Sequence, residues 1–170
     1  YRHVHEIARL LLNGRFDPSF GSDGRKTVNP TKGAYDEIAD IAIDAQGRIL
    51  VAGGSDSYAG TVVRLKPGGV IDRSFGTRGA TKLSWFTPTS LALDRRGRVL
   101  TIGYFSSGYS DESGQIQRLT KRGRLDNSYR GSVPRTTHIF DGFVDGRGRV
   151  VTGGNRRFGV LTVARTIPSR

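Results

Sequence analysis

The sequence predicts an all-β chain of β-propeller blades: three four-stranded repeats plus one extra N-terminal strand, part of a larger or oligomeric propeller. Three observations carry that expectation. A loop motif recurs as GRFDPSFG at Gly14–Gly21, GVIDRSFG at Gly69–Gly76 and GRLDNSYR at Gly123–Arg130, its aspartates spaced by 55 and 54 residues. A second motif alternates with it: DAQGRILVAGG from Asp44, DRRGRVLTIGY from Asp94 and DGRGRVVTGGN from Asp145. The segments between them are short and nearly continuously apolar, as expected of strands covered on both faces. A fixed period of this size with short strands fits radially stacked sheets.

Each repeat reads as four strands in order. IADIAID, PTSLALD and HIFDGFVD precede the second motif, and an apolar run follows it. Between them, Asp-x-x-Gly-Arg forms a hairpin turn. Its Asp accepts a backbone N–H two residues on, and its Gly takes the positive φ that closes the turn. GTVVRL, GQIQRL and GVLTVAR make a third kind of strand, with Arg9-Leu10, Arg64-Leu65 and Arg118-Leu119 in constant register before the loop motif. RKTV, ATKLSW and, less clearly, SVPRT make a fourth. HEIARLLL (5–12) reads as the last strand of a preceding blade. One repeat domain over 1–170 then divides into 1–16, with blades at 17–71, 72–125 and 126–170.

This pattern resembles the delta-60 repeat, a family of bacterial repeats, over nearly the whole chain. The carrying residues are Leu, a Gly turn, Leu/Ile-Asp-x-Ser-Phe-Gly, then Asp-x-x-Gly-Arg-Ile-Leu-Val-Ala-Gly-Gly. The third copy departs at Tyr129 and Arg130. The resemblance implies propeller-like domains in exported or surface proteins, and it implies no settled activity.

The loop motif reads as a structural joint where one blade hands over to the next. Asp17, Asp72 and Asp126 each precede a Ser by two residues, a turn-capping composition. Phe20, Phe75 and Tyr129 are placed to wedge between blades, since a ring buries a large area. A ring of Ca²⁺ ligands is the alternative, but one carboxylate per blade falls short of the six to eight oxygens that ion takes. Closed propellers have four to eight blades, so further blades from the same chain type or a longer parent chain are expected as partners. The absence of Met, even at position 1, likewise reads as a trimmed or partial product. No apolar run approaches the length of a membrane-spanning helix.

Groups for an enzyme are sparse. His3 and His5 alternate as a candidate metal pair, but two ligands do not make a site, and His138 stands apart. No Gly-x-Ser-x-Gly elbow occurs, Ser110–Ser113 reads as a solvated loop, and neither GRGR nor VAGG has the Lys or following helix of a phosphate cradle. The chain also lacks Cys. No catalytic residue, metal or cofactor is expected.

The charge is the remaining lead. With 27 Lys and Arg against 15 Asp and Glu, the net charge of +12 attracts polyanions. If the second-to-third turns and the joints share a rim, that rim carries Arg15, Arg48, Arg73, Arg95, Arg96, Arg98, Lys121, Arg122, Arg124, Arg147 and Arg149. Arg48, Arg98 and Arg149 are repeat-equivalent and can simply brace the turn. Few aromatics interleave with these cations for base stacking, which favours charge-driven contact over sequence-specific nucleic-acid reading. The expectation is a non-enzymatic binding or scaffold module, exported or at the surface of a bacterial cell, that meets an anionic glycan, cell-wall polymer or acidic protein. The alternative is a purely structural segment, either of a longer multidomain surface protein or of a propeller enzyme whose active site needs further blades.

Overall fold

The computed structural model describes residues 5–29, 37–54, 59–105, 113–129, 131–133, 138–155 and 161–166. Among the described residues every regular element is a strand: β1 (His5–Ala8), β2 (Arg25–Val28), β3 (Glu37–Ile43), β4 (Ile49–Gly54), β5 (Ala59–Leu65), β6 (Ala80–Ser84), β7 (Phe86–Leu93), β8 (Val99–Phe105), β9 (Ser113–Leu119), β10 (Gly131–Ser132), β11 (His138–Val144), β12 (Val150–Asn155) and β13 (Leu161–Thr166). Among the described residues no helix is long and apolar enough to cross a membrane.

The apolar runs form the middle strands. β4 and β8 are buried at five consecutive positions and β5 at six, so both faces of each are covered. Within β4 the period-2 alternation of a strand sends Ile49 and Val51 into one core and Leu50 and Ala52 into another. Each middle strand therefore serves two seams at once.

Pairing is antiparallel within each group. β3–β4–β5–β6 run in order, as do β7–β8–β9–β10, while β11–β12–β13 and β1–β2 form smaller sheets. The larger groups touch through one parallel bridge, Ala59 to Phe86. The hydrogen bonds group the strands differently from a division at Asp17, Asp72 and Asp126, which separates the third strand of each group from the fourth. RKTV (β2) pairs with β1, so His5–Ala8 is the inner neighbour of an outer strand rather than an outer strand itself. The loop motif accordingly joins third and fourth strands of one sheet.

The handover to the next sheet comes later, where β6 passes to β7 through Trp85 alone, at φ 58°. The Asp-x-x-Gly-Arg turns join first and second strands, not second and third. In an up-and-down sheet the first and third connections emerge at the same end, so these turns and the loop motifs lie at one end of the strands. The SVPRT segment supplies only Gly131–Ser132 as a fourth strand.

Three cores lie between successive sheets, each with one motif aromatic at its centre. Phe20 packs with Ile7 and Val28 against Ile49, Val51, Val63 and Leu65. Phe75 packs with Leu50, Val62 and Leu83 against Phe86, Leu91, Val99 and Leu119. Tyr129 packs with Leu100, Ile102 and Ile116 against Ile139 and Val150. Both Phe rings are fully buried.

The first strands also meet. β3, β7 and β11 each carry a bulge at the same place, and the residue just past it faces the neighbouring sheet. Leu91 N donates to Asp40 Oδ2 (2.7 Å), and Ser90 Oγ lies 2.8 Å from Asp141 Oδ1. Asp40, Ser90 and Asp141 each stand four residues before the turn aspartate, so the repeat itself delivers this belt.

Candidate functional site

The joint is a four-residue constellation repeated three times. Asp72 Oδ1 accepts from Ser74 N (3.2 Å) and Ser74 Oγ (2.7 Å), and its Oδ2 accepts from Arg64 Nε (2.9 Å). The Arg64 guanidinium lies 4.5 Å from the centroid of the Phe75 ring. Asp17, Ser19, Arg9 and Phe20 repeat this arrangement, as do Asp126, Ser128, Arg118 and Tyr129. Asp fixes the turn, Arg neutralises Asp and covers the ring, and the ring fills the seam.

The constellation also reaches the next sheet. Arg9 Nη1 donates to Pro67 O (2.6 Å) and Arg64 Nη1 to Lys121 O (2.7 Å). Gly21 N donates to Gly68 O, and Gly76 N to Arg122 O. Gly123, at φ 75°, lets the following turn approach: a Cβ there would stand 2.7 Å from Gly76 N and 2.8 Å from the Phe75 ring. Arg9, Arg64 and Arg118 were absent from the residues singled out by sequence. Their signal was the Arg-Leu register eight positions before each Asp.

Electrostatics follow the hydrogen bonds. The Ser19 hydroxyl and amide, with Arg9, hold Asp17 below the ordinary carboxylate value. Burial pushes Asp72 up, but Ser74 and Arg64 outweigh it and the net direction is down. The Ser128 hydroxyl, against the opposing effect of burial and with help from Arg118, lowers Asp126. Burial lowers the Arg64 guanidinium from its usual value and raises the Tyr129 phenol. Among the described residues the buried Tyr129 hydroxyl has no hydrogen-bond partner.

The second motif is a brace. Asp44 Oδ1 accepts from Gln46 N and Arg48 N, and its Oδ2 accepts from Arg48 Nε at 2.7 Å. Asp94 with Arg98 and Asp145 with Arg149 repeat it. The Arg149 side chain, then its amide, lower Asp145 to about 2. Arg48, Arg98 and Arg149 are thus committed to their own turns.

The other predicted rim residues differ. Arg15, Arg73, Arg95, Arg96, Lys121, Arg122, Arg124 and Arg147 are exposed, and among the described residues no carboxylate pairs with their side chains. Two of the turns that carry them adjoin, since a Cβ on Gly97 would meet Lys121. Arg95, Arg96 and Arg147 line one cavity of about 500 Å³ between the β7–β10 strands and the β11–β13 sheet, together with Arg98 and Arg118. Arg73 lines another of about 550 Å³ with Lys26 and Arg78.

His3 lies outside the described residues. His5 opens β1 with a buried Nε2 that has no partner among the described residues, and His138 stacks edge-on against Tyr104 at 4.9 Å. Among the described residues no three His, Cys, Asp or Glu are grouped to hold a metal. Of Ser110–Ser113, only Ser113 is described, opening β9.

Among known families, one described as a domain of unknown function (DUF5122) beta-propeller matches residues 46–75, from the first Asp-x-x-Gly-Arg turn through the Phe75 wedge. The match supports a propeller-like repeat. No curated protein matches the chain.

Proposed function

We propose that this chain is a non-enzymatic binding or scaffold segment of a β-propeller that meets an anionic glycan, a cell-wall polymer or an acidic partner through its rim. One observation carries the reading. The cations that the fold consumes as braces are paired with aspartates, while eight further rim cations are exposed without a carboxylate partner among the described residues. Unpaired like charges on one rim raise the local potential and cost the compact state some self-repulsion, so a fold gains nothing by collecting them. The likeness to delta-60 repeats supports an exported or surface setting in a bacterium, with further blades completing the ring.

The test is retention of the intact chain on a heparin column against a neutral dextran. Contact through several cations releases counterions, so binding falls steeply as salt rises from about 50 to 200 mM. Heparin retention no greater than on dextran at low salt refutes the reading. That result would favour a structural segment, for which the three Asp–Arg braces and the three joints would be the whole design.

A further inference from the structure

The rim cations are not spread evenly, and the repeats provide an internal control. At the seam between the second and third units, Arg95, Arg96 and Arg147 surround a cavity that also exposes Arg98 and Arg118. Arg98 is paired with Asp94 and Arg118 with Asp126, which leaves three guanidiniums without a counter-charge among the described residues. In the first repeat the positions of Arg95 and Arg96 are held by Ala45 and Gln46, and the third repeat has Gly146 at the first of them. The turn geometry is the same in all three. The fold therefore has no need of these arginines.

A second observation points into the same cavity. Arg118 is a joint arginine, only 8% exposed, yet it is less fully bound than its equivalents. Arg9 and Arg64 each give Nη1 to a backbone carbonyl of the next unit and Nη2 to a serine hydroxyl. Arg118 uses Nε and Nη2 on Asp126 alone, and among the described residues its Nη1 has no acceptor. Its Nη1 is therefore available to an acceptor in the cavity that Arg118 lines.

We propose that this seam is a discrete site for the terminal ester group of a sulfated or phosphorylated saccharide. The proposal rests on the anionic-polymer reading above and deepens it. Several guanidinium forks lining one cavity suit a tetrahedral group with three free oxygens better than a carboxylate, which offers two. The same count disfavours a nucleic-acid backbone, whose phosphodiesters also leave two. The cavity volume lies within the range of small-molecule sites and leaves room for the sugar that bears the ester. Arg118 would meet the innermost oxygen from the floor, with Arg95, Arg96 and Arg147 closing over the outer two.

The test exchanges one repeat's turn for another's. Arg95→Ala with Arg96→Gln writes the first repeat's own turn into the second, so the fold has already accepted the replacement. Arg73→Gln with Arg124→Gln removes the same charge from the rim away from this cavity. The probes are a heparin tetrasaccharide and glucose 6-phosphate, measured by calorimetry on the intact chain at fixed salt. The site predicts a loss of about 30-fold or more in tetrasaccharide affinity for R95A/R96Q, against about 3-fold for R73Q/R124Q. It also predicts that glucose 6-phosphate competes, and that methyl glucuronide and a dimethyl phosphate diester do not.

Equal losses from both pairs would overturn the seam site and leave the basic rim standing. No binding by the unaltered chain would overturn both. A structure in which a backbone carbonyl from the chain beyond β13 caps Arg118, as Lys121 caps Arg64, would also overturn the site.

Discussion

The Arg64–Asp72 pair offers the sharpest test of the joint. Its side chains are 4% and 9% exposed, so it is a nearly buried ion pair and not a surface contact. Asp72→Asn keeps an oxygen for Ser74 and removes only the charge. Arg64 is then left in the seam with its carbonyl at Lys121 but no counter-ion. Removing one partner of a buried pair costs about 3–5 kcal/mol. With a urea slope near 2 kcal/mol/M, the midpoint should fall by about 1.5–2.5 M. The fluorescence of Trp85, the only tryptophan, reports unfolding. The deciding variant is Arg64→Met with Asp72→Asn, which takes away the stranded charge while keeping a long apolar stem over Phe75. It should recover at least half of the loss. If the double variant is as unstable as Asp72→Asn alone, the cost lies in the turn, and the ion pair is not what secures the joint.

Three further expectations follow from the same geometry. Alanine at Gly146, Gly14 and Gly123 should form a graded series in thermal unfolding: near zero, about 1–2 kcal/mol for a positive φ in open space, and more at Gly123, where a Cβ meets Gly76 N and the Phe75 ring. Equal effects at Gly14 and Gly123 would refute the close approach. Tyr129→Phe removes a buried hydroxyl that has no partner among the described residues and restores the ring used in the other two copies. A gain of about 1 kcal/mol is expected in urea titration, and a loss would show that the hydroxyl is bound. The carboxyls of Asp17, Asp72, Asp126 and Asp145 are all depressed in the folded chain. Their stabilisation is therefore complete above the unfolded value of about 4 and is lost as pH falls through the folded values, about 2 for Asp145. The urea midpoint should decline between about pH 4 and 2, less so in Asp145→Asn, and a flat profile down to pH 2 would contradict the braces.

Two motifs alternating at one period were enough, by themselves, to specify an all-β repeat chain, its turns and its wedge residues. The reason is local. Asp-x-x-Gly-Arg closes a turn through bonds spanning four residues, and the Asp-x-Ser cap spans two, so residue order alone determines them. The Arg-Leu register eight residues upstream was equally visible, but its role was not. Whether Arg64 braces Asp72 or points to solvent depends on β5 being paired and the loop folding back over it.

Strand partnership was the part that sequence left open. RKTV has the same composition whether it opens one sheet or closes another, and only the pairing of β2 with β1 decided it. The turn arginines behave likewise. Arg96 and Arg98 are two residues apart, chemically identical and line the same cavity, yet Arg98 is spent on Asp94 while Arg96 has no carboxylate partner among the described residues. A cavity belongs to the space between sheets, and that space exists only after β-strands from distant repeats have been brought face to face.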